Sequence, residues 1–282
     1  MTRSVTVVIP SYKSNKKIIN HVKNISKITK IIIVENSQDK KLKDKLEKKN
    51  KNVKVILRNN IGYGNAINHA SKLIKTKYFF AINPDTKIYK NTITLLLNSC
   101  KGIKKFGAIS PNLKGNRKKY KKIIVEQETL TGGAMLFNTK IFKRLNGFDK
   151  NIFLYYEDND YFTKCRLKKY KLFLISNSYH FHKKKSSGSA SFKNKNEKDY
   201  AYYLSGWHGQ WSKFYYLKKY NGFWKGLRKC LPGLIRNIFQ LIINLLVSPK
   251  KAKYNYFKIE GLIVSILGFS SYKRSKYDKS FN

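Results

Sequence analysis

Four short apolar runs, spaced by segments of helix length, decide what the first part of this chain can become. Residues 5–9, 31–34, 53–57 and 78–82 are almost wholly apolar and rich in valine, isoleucine and phenylalanine. Residues 15–26, 39–50 and 64–74 lie before or between them and fit helices. Runs without polar alternation read as strands buried on both faces, and strands alternating with helices predict a parallel α/β sheet covered on both sides. Ligands of such sheets bind beyond the carboxyl ends of the strands. Ser11, Glu35, Asn36, Asn83 and Asp85 occupy those ends and are the first candidates for a site.

From about residue 100 to 190 the pattern is mixed. Shorter strands are expected, with a helix near 138–145 and another from Glu157 to about Lys169. Residues 196–220 read as a helix rich in Tyr and Trp. A separate region begins at Gly226, so the expected division is a nucleotide-binding domain over 1–225 and a helical extension over 226–282. Within the extension, residues 231–247 are apolar except for Arg236, Asn237, Gln240 and Asn244. Positions 236, 240 and 244 share one helical stripe. Lys225, Arg228 and Lys229 precede the segment, and Lys250, Lys251 and Lys253 follow it. A basic amphipathic helix suits an anionic membrane surface; a core-packing helix would show the same periodicity. These polar interruptions leave no clear transmembrane span. The amino terminus has too few apolar residues for a signal peptide and reads as an opening strand, which predicts a cytoplasmic protein, peripheral at most to the inner membrane face.

The charge is extreme: 60 Lys+Arg against 15 Asp+Glu, a formal +45. Lysine is spread along the whole chain, and no helix-turn-helix, RNP or zinc-finger pattern accompanies it. A nucleic-acid binder would concentrate charge on one face beside a reading motif. Diffuse lysine is solvated surface that draws the protein to phosphates and lipid headgroups. Cys100, Cys165 and Cys230 are odd in number and far apart, which predicts buried thiols and no disulfide or zinc site.

Against that background acidic residues are scarce, yet Glu157, Asp158 and Asp160 crowd into four positions after Phe153-Leu154-Tyr155-Tyr156. Acids suit a helix N-terminus through capping and the helix dipole, which accounts for one or two of them. A carboxylate there can also serve as a general base tuned by its neighbours. Asp85 at a strand end is placed to hold a divalent cation against phosphates, although Asn-Pro-Asp is also an ordinary turn. Glu35 can accept a hydrogen bond from a base or ribose, or serve only its own turn. Asn60, Gly62 and Gly64 open the helix containing Asn68, where glycine lets backbone approach a ligand or simply makes a loop. No Gly-x-Gly-x-x-Gly follows the first strand, which argues against a dehydrogenase. His180 and His182 alternate after an apolar run, so a strand there would turn both imidazoles to one side.

In order and spacing these pieces resemble the inverting GT-A glycosyltransferases of family 2, in particular a rhamnosyltransferase-like branch. The resemblance runs over about 5–190. It is carried by VTVVIPSYKS at 5–14, IIIVENS at 31–37, NNIGYGNAIN at 59–68 and FFAINPDT at 79–86. It continues in TGGAMLF at 131–137, LNGFDKNIFLYYEDNDYFTKCRLKKY at 145–170 and ISNSYHFHKKKSS at 175–187. It implies a GT-A fold, a single nucleotide-binding domain with a mixed, mainly parallel central sheet. It further implies a dTDP- or UDP-sugar donor, a divalent cation (Mg²⁺ or Mn²⁺), and a saccharide or lipid-linked acceptor in cell-surface polysaccharide synthesis. Carried over by position, Asp158 is the catalytic base, with Glu157 and Asp160 supporting it. Asp85 and His182 are the metal contacts. Pro10, Ser11, Tyr12, Glu35, Asn60, Gly62, Asn83, Asp85 and Gly133 line the nucleotide sugar. Glu35 replaces the usual Asp, Asn83 stands where many members have Asp, and Lys183–Lys185 replace small residues after the late His. The rival readings are a charge-driven nucleic-acid binder, a catalytically inactive relative, and a sugar nucleotidyltransferase, which would need a glycine-rich loop that residues 10–15 lack.

Overall fold

The computed structural model describes residues 4–14, 18, 19, 22, 23, 25–116, 118–182 and 192–278. It contains one nine-stranded sheet, ordered β3-β2-β1-β4-β8-β6-β9-β5, with β7 paired to β9 off this path. Strands β1 (Val5–Ser11), β2 (Lys30–Glu35), β3 (Val53–Leu57) and β4 (Tyr78–Ile82) are mutually parallel where they pair. Beyond β4 the sheet turns mixed. β8 (Ala134–Asn138) runs antiparallel to both β4 and β6 (Phe106–Leu113), and β6 is parallel to β9 (Lys171–His182). β5 (Thr86–Ile88) and β7 (Ile124–Gln127) both lie antiparallel to β9.

The apolar runs are strands because both faces are covered. Val5, Val7 and Ile9 of β1 pack in one core with Leu42 and Leu46 of α1 (Lys40–Lys49) and Ile93 and Leu96 of α3 (Thr92–Cys100). Val8 points to the opposite core, with Ala66, Ile67 and Ala70 of α2 (Tyr63–Lys72), Phe142 of α4 (Thr139–Arg144), and Tyr161, Phe162 and Cys165 of α5 (Glu157–Leu167). Period-two alternation therefore divides each strand between two cores. Of the helix expected over 15–26, residues 18, 19, 22, 23 and 25 are helical, residue 26 is already in a turn, and the others lie outside the described residues.

The chain forms two compact units. One comprises residues 1–148 and 161–191 and holds the sheet; the other comprises 149–160 and 192–282. The second unit contains α6 (Lys195–Asn221), α7 (Phe223–Val247) and α8 (Pro249–Ile266). The expected 225/226 division falls inside α7. Trp207, Trp211, Tyr203 and Leu204 of α6 pack on Phe257 of α8. Gly261 permits that contact, since a Cβ there would come 2.3 Å from the Trp207 carbonyl oxygen. Cys230 of α7 packs with Leu262 of α8, and Lys258 donates to the Asn237 Oδ1 at 2.5 Å. These pairs run in opposite order along the two helices, so α7 and α8 are antiparallel.

α7 packs on α8 by one side only. Asn237 is buried against α8, whereas Leu231, Ile235, Phe239, Ile242 and Leu246 are exposed. By length and composition α7 is long and apolar enough to cross a membrane, a property that its scattered polar residues concealed in the sequence. The three cysteines are free and buried, as expected.

Candidate active site

In the sheet unit the expected residues gather at strand ends for reasons of register. Ser11 lies opposite Glu35, and Pro10 opposite Val34, in the β1–β2 pair. The pairing continues past the strands: the Asn36 amide donates to the Ser11 carbonyl at 2.8 Å and the Arg58 amide to the Glu35 carbonyl at 2.9 Å. Asn36 Nδ2 donates to the Gly62 carbonyl at 3.4 Å, and the Gly62 amide to Asn60 Oδ1 at 3.3 Å. Gly62 has φ 85°, a left-handed backbone natural to glycine, and starts α2. Tyr12 follows β1, with its carbonyl accepting from Ser14 Oγ at 2.9 Å and Lys13 Nζ 4.9 Å from its ring centroid.

Glu35 is buried and its carboxylate is engaged locally. Oε2 accepts from the Ser37 and Asp39 amides, both at 2.9 Å, and Oε1 from Ser37 Oγ at 2.6 Å. Burial raises its pKa, and these donors pull against the rise. Glu35 thus builds the β2–α1 turn as well as standing at the strand end. The buried hydroxyls of Ser11 and Thr86 and the carbonyl oxygen of the Asn36 side chain have no hydrogen-bond partner among the described residues. Buried polar atoms of this kind mark places where a ligand can bond.

The Asn83–Asp85 turn is fixed from two sides. The Asn83 amide donates to the carbonyl of Gly133, whose φ is 109°, at 2.8 Å, and the Thr86 amide donates back to the Asn83 carbonyl at 3.0 Å. β5 begins at Thr86, directly after Asp85, and Thr86 is registered opposite His182, with Ile88 opposite His180. The strand pairing therefore brings the Asp85 turn and the end of β9 together. His180 is fully buried. The side chain of His182 and all of Lys183–Lys185 lie outside the described residues.

No group of three or more potential metal ligands occurs among the described residues. An Mg²⁺ or Mn²⁺ ion on a diphosphate takes as few as one or two protein ligands, completing its shell with phosphate and water oxygens.

The acidic cluster is held differently. Segment 149–160 belongs to the helical unit. Tyr155 and Tyr156, immediately before Glu157, both have φ 67°. Two successive left-handed non-glycine residues are costly, at ~1–2 kcal/mol each, and persist only where surroundings enforce them. The surroundings here are α6 and the chain after α8. Ser212 Oγ donates to the Leu154 carbonyl at 2.9 Å, Tyr156 packs on Tyr216 at 5.5 Å, and Phe153 lies 4.5 Å from the His208 ring and 3.8 Å from the Arg274 guanidinium.

Lys219 anchors both ends of this segment. Its ammonium donates to Asp149 Oδ2 at 2.7 Å and to Asp160 Oδ1 at 2.5 Å. Tyr215 donates to the same Asp149 oxygen at 3.1 Å, and Tyr220 to the same Asp160 oxygen at 2.8 Å. Burial alone would raise the Asp149 pKa, but the hydrogen bonds from Lys219, the Asn151 amide and Tyr215, with the Lys219 charge, together outweigh it and hold it below the usual range. Asp160 is fully buried, so this clamp gives it a structural task.

Glu157 and Asp158 are the other two acids of the cluster. Burial, with the Asp158 charge adding to it, pushes Glu157 up to about 8. Asp158 is half-buried; burial raises its pKa, while the Asn159 amide at 2.8 Å and Asn159 Nδ2 at 3.2 Å moderate the rise. Burial thus makes both carboxylates of the pair more basic than usual.

Two positioning groups, Asn68 and Lys219, owe their roles to partners remote in sequence. Asn68 forms a two-way clasp with Phe148, giving and receiving hydrogen bonds of 2.9 Å. Gly147 is required beside it, since a Cβ there would lie 2.3 Å from Asn68 Oδ1. Lys219 is one of 60 basic residues, and only its place in an aromatic helix distinguishes it.

A family model described as "Glycosyl transferase family 2" matches residues 6–173. No curated protein sequence matches the chain. Among solved structures, the mannosyltransferase PcManGT of Pyrobaculum calidifontis, in complex with GDP-Man and Mn²⁺, aligns with a TM-score of 0.57 at 14% identity over 93% of this chain and 87% of that one. TarS 1–349 of S. aureus with UDP-GlcNAc aligns at 0.51 and 15% identity, over 94% of this chain and 92% of that one. A longer TarS chain is matched over 36% of its own length. GalNAc-T7 with UDP, GalNAc and Mn²⁺ aligns at 0.54 and 13% identity, over 77% of this chain and 51% of that one. At these identities the likeness is one of fold: an α/β core of the GT-A kind.

Proposed function

The chain belongs to glycosyl transferase family 2, and from that premise we propose that it moves a hexose from a nucleoside-diphosphate donor to a hydroxyl of a saccharide or lipid-linked saccharide, with inversion at the anomeric carbon. The observation that carries the reading is the pair of adjacent acids at the start of α5, Glu157 buried and Asp158 half-buried beside it, with burial raising the pKa of both. An acceptor hydroxyl is far too weak an acid to ionise at neutral pH and needs such a base as it attacks. In the proposed step the acceptor oxygen forms its bond to the anomeric carbon, its proton passes to an Asp158 oxygen, and the bond from that carbon to the diphosphate breaks. Asp85 and His182 would hold a divalent cation, whose part is to neutralise charge on the departing diphosphate. Ser11, Asn36 and Thr86 offer the nucleotide sugar buried hydrogen-bonding atoms beside Pro10, Tyr12, Asn60, Gly62 and Gly133.

The nucleotide sugars in the structures of fold relatives support a donor of this class. A dTDP- or UDP-sugar, rhamnose foremost, is the donor suggested by the motif resemblance, and cell-surface polysaccharide made on the cytoplasmic side is its setting. Thermal unfolding with a panel of nucleoside diphosphates and nucleotide sugars, with Mg²⁺ or Mn²⁺ or with EDTA, tests the reading. A ligand at ~100 times its Kd adds ~2.7 kcal/mol. A metal-dependent rise with one nucleotide class is the expected result. No rise with any of them, together with tight salt-sensitive binding to nucleic acid, would replace the proposal with a charge-driven binding protein.

A further inference from the structure

The face of α7 turned away from α8 is apolar and exposed. Leu231, Ile235, Phe239, Ile242 and Leu246 are 45%, 60%, 64%, 61% and 91% exposed, and Ile238 and Ile243 widen the stripe. They recur at three- and four-residue intervals and so share one side of the helix. Apolar exposure on this scale is unusual for a soluble surface and marks an interaction site. The opposite side is occupied, with Cys230 packed on Leu262 and Asn237 bonded to Lys258 of α8. α7 carries no acidic residue, and Lys225, Arg228, Lys229 and Arg236 are all exposed on it. Trp224, at its start, is 78% exposed.

We propose that α7 lies in the plane of an anionic phospholipid surface, its apolar stripe sunk among the acyl chains and its basic residues among the headgroups. Charge decides between a bilayer and a second copy of this chain as the occupant. Two copies facing through α7 would juxtapose eight like charges on chains of formal charge +45 each, while an anionic bilayer complements them. Packing decides between lying flat and crossing. α7 is bound along its length to an antiparallel α8 that carries Lys250, Lys251, Lys253, Lys258 and Glu260. Crossing would draw those charges into hydrocarbon or strip α8 away, leaving Asn237 and Lys258 without each other.

The test is flotation of the full chain with vesicles of phosphatidylcholine alone and of phosphatidylcholine mixed with phosphatidylglycerol. Wild type should float with the mixed vesicles and at least tenfold less with the neutral ones. The double variant Phe239→Ser, Ile242→Ser should lose at least tenfold in binding while keeping the wild-type melting temperature, because both side chains are exposed. Trp207 and Trp211 are buried, so a blue shift of tryptophan emission on binding reports Trp224. Brominated lipids should quench Trp224 when labelled near the headgroup and not at the chain end. Three results would each overturn the proposal: no binding of wild type to the mixed vesicles, unchanged binding by the double variant, or a concentration-dependent dimer that the double variant breaks while lipid binding is absent. Strong quenching from the chain ends would refute the flat orientation.

Discussion

The sheet unit and the helical unit place their chemistry by opposite means. In the sheet unit, Ser11, Glu35 and Asp85 sit where regular strands stop, and the register of β1, β2, β5 and β9 sets their positions. In the helical unit, Glu157 and Asp158 follow two tyrosines held in left-handed backbone by contacts to α6. A strand end is fixed by many shared hydrogen bonds and tolerates changes in any one. A strained segment is fixed by a few anchors and should fail when one is removed.

The largest effect expected is chemical. Asp158→Asn removes the base without removing its volume, and turnover of the nucleotide sugar should fall ~10²–10⁴-fold while donor binding and melting temperature hold. Wild-type turnover by this variant would dismiss the acidic segment as the reactive half of the comparison. Next comes the anchor. Lys219→Met leaves Asp160 buried without its cation; losing one partner of a buried pair costs ~3–5 kcal/mol, and the partial exposure of Lys219 puts this case near ~3 kcal/mol. Chemical denaturation should show that loss, with donor binding at the sheet unaffected and kcat reduced. Equal loss of donor binding would mean that the two units do not keep separate duties.

Acid titration separates the units further. His208 is buried between Ser271 Oγ and the Lys273 carbonyl, both at 3.0 Å, and burial, aided by the Arg274 charge, pushes its pKa down to about 3. Unfolded, it takes up a proton near 6.5, so the unfolded state binds more protons between those values. Stability should therefore fall as pH drops from about 6.5 towards 3, by up to ~1.4 kcal/mol per pH unit. Urea midpoints for His208→Gln should be flatter over that window; an identical slope would place the acid sensitivity elsewhere. The smallest effect compares two strained sites. Lys169 has φ 57° just after α5, so Lys169→Gly should add ~1 kcal/mol of stability with no change in rate. Tyr156→Gly relieves a similar torsion but releases the Tyr216 contact, and should reduce turnover about tenfold through misplacement of the base. Equal rates for the two variants would show that the tyrosine strain has no bearing on chemistry.

The same contrast explains what could be read from residues alone. β3 and β4 match the apolar runs at 53–57 and 78–82 residue for residue; β4 is buried on both faces, and β3, with Lys54 exposed, is the edge strand beside β2. The ends of α1, α2, α4 and α6 lie within two residues of expectation at every boundary. β9 is longer than its apolar stretch suggests, since its second half, including His180, is ordered by pairing with β5 and not by a hydrophobic pattern. α8 lies within the helical extension expected over 226–282, but its own bounds were not legible, because lysines interrupt its sequence while Ala252, Phe257 and Leu262 form the buried side. Asp158 and Glu157 were visible as scarce acids in a lysine-rich chain. The separate task of Asp160 was not, because Lys219 is remote in sequence and chemically ordinary.

Segment 149–160 also sets an order of events during synthesis. It leaves the ribosome before α6, yet its contacts are with α6, which ends at Asn221. At ~5–20 residues per second the acidic segment waits on the order of seconds for its support, while β1–β4 can already pair. A chain interrupted in that interval would carry the sheet without a positioned acidic segment. On the proposed function such a fragment could retain its donor and leave it untransferred, so the activity appears only after the last helices have been made.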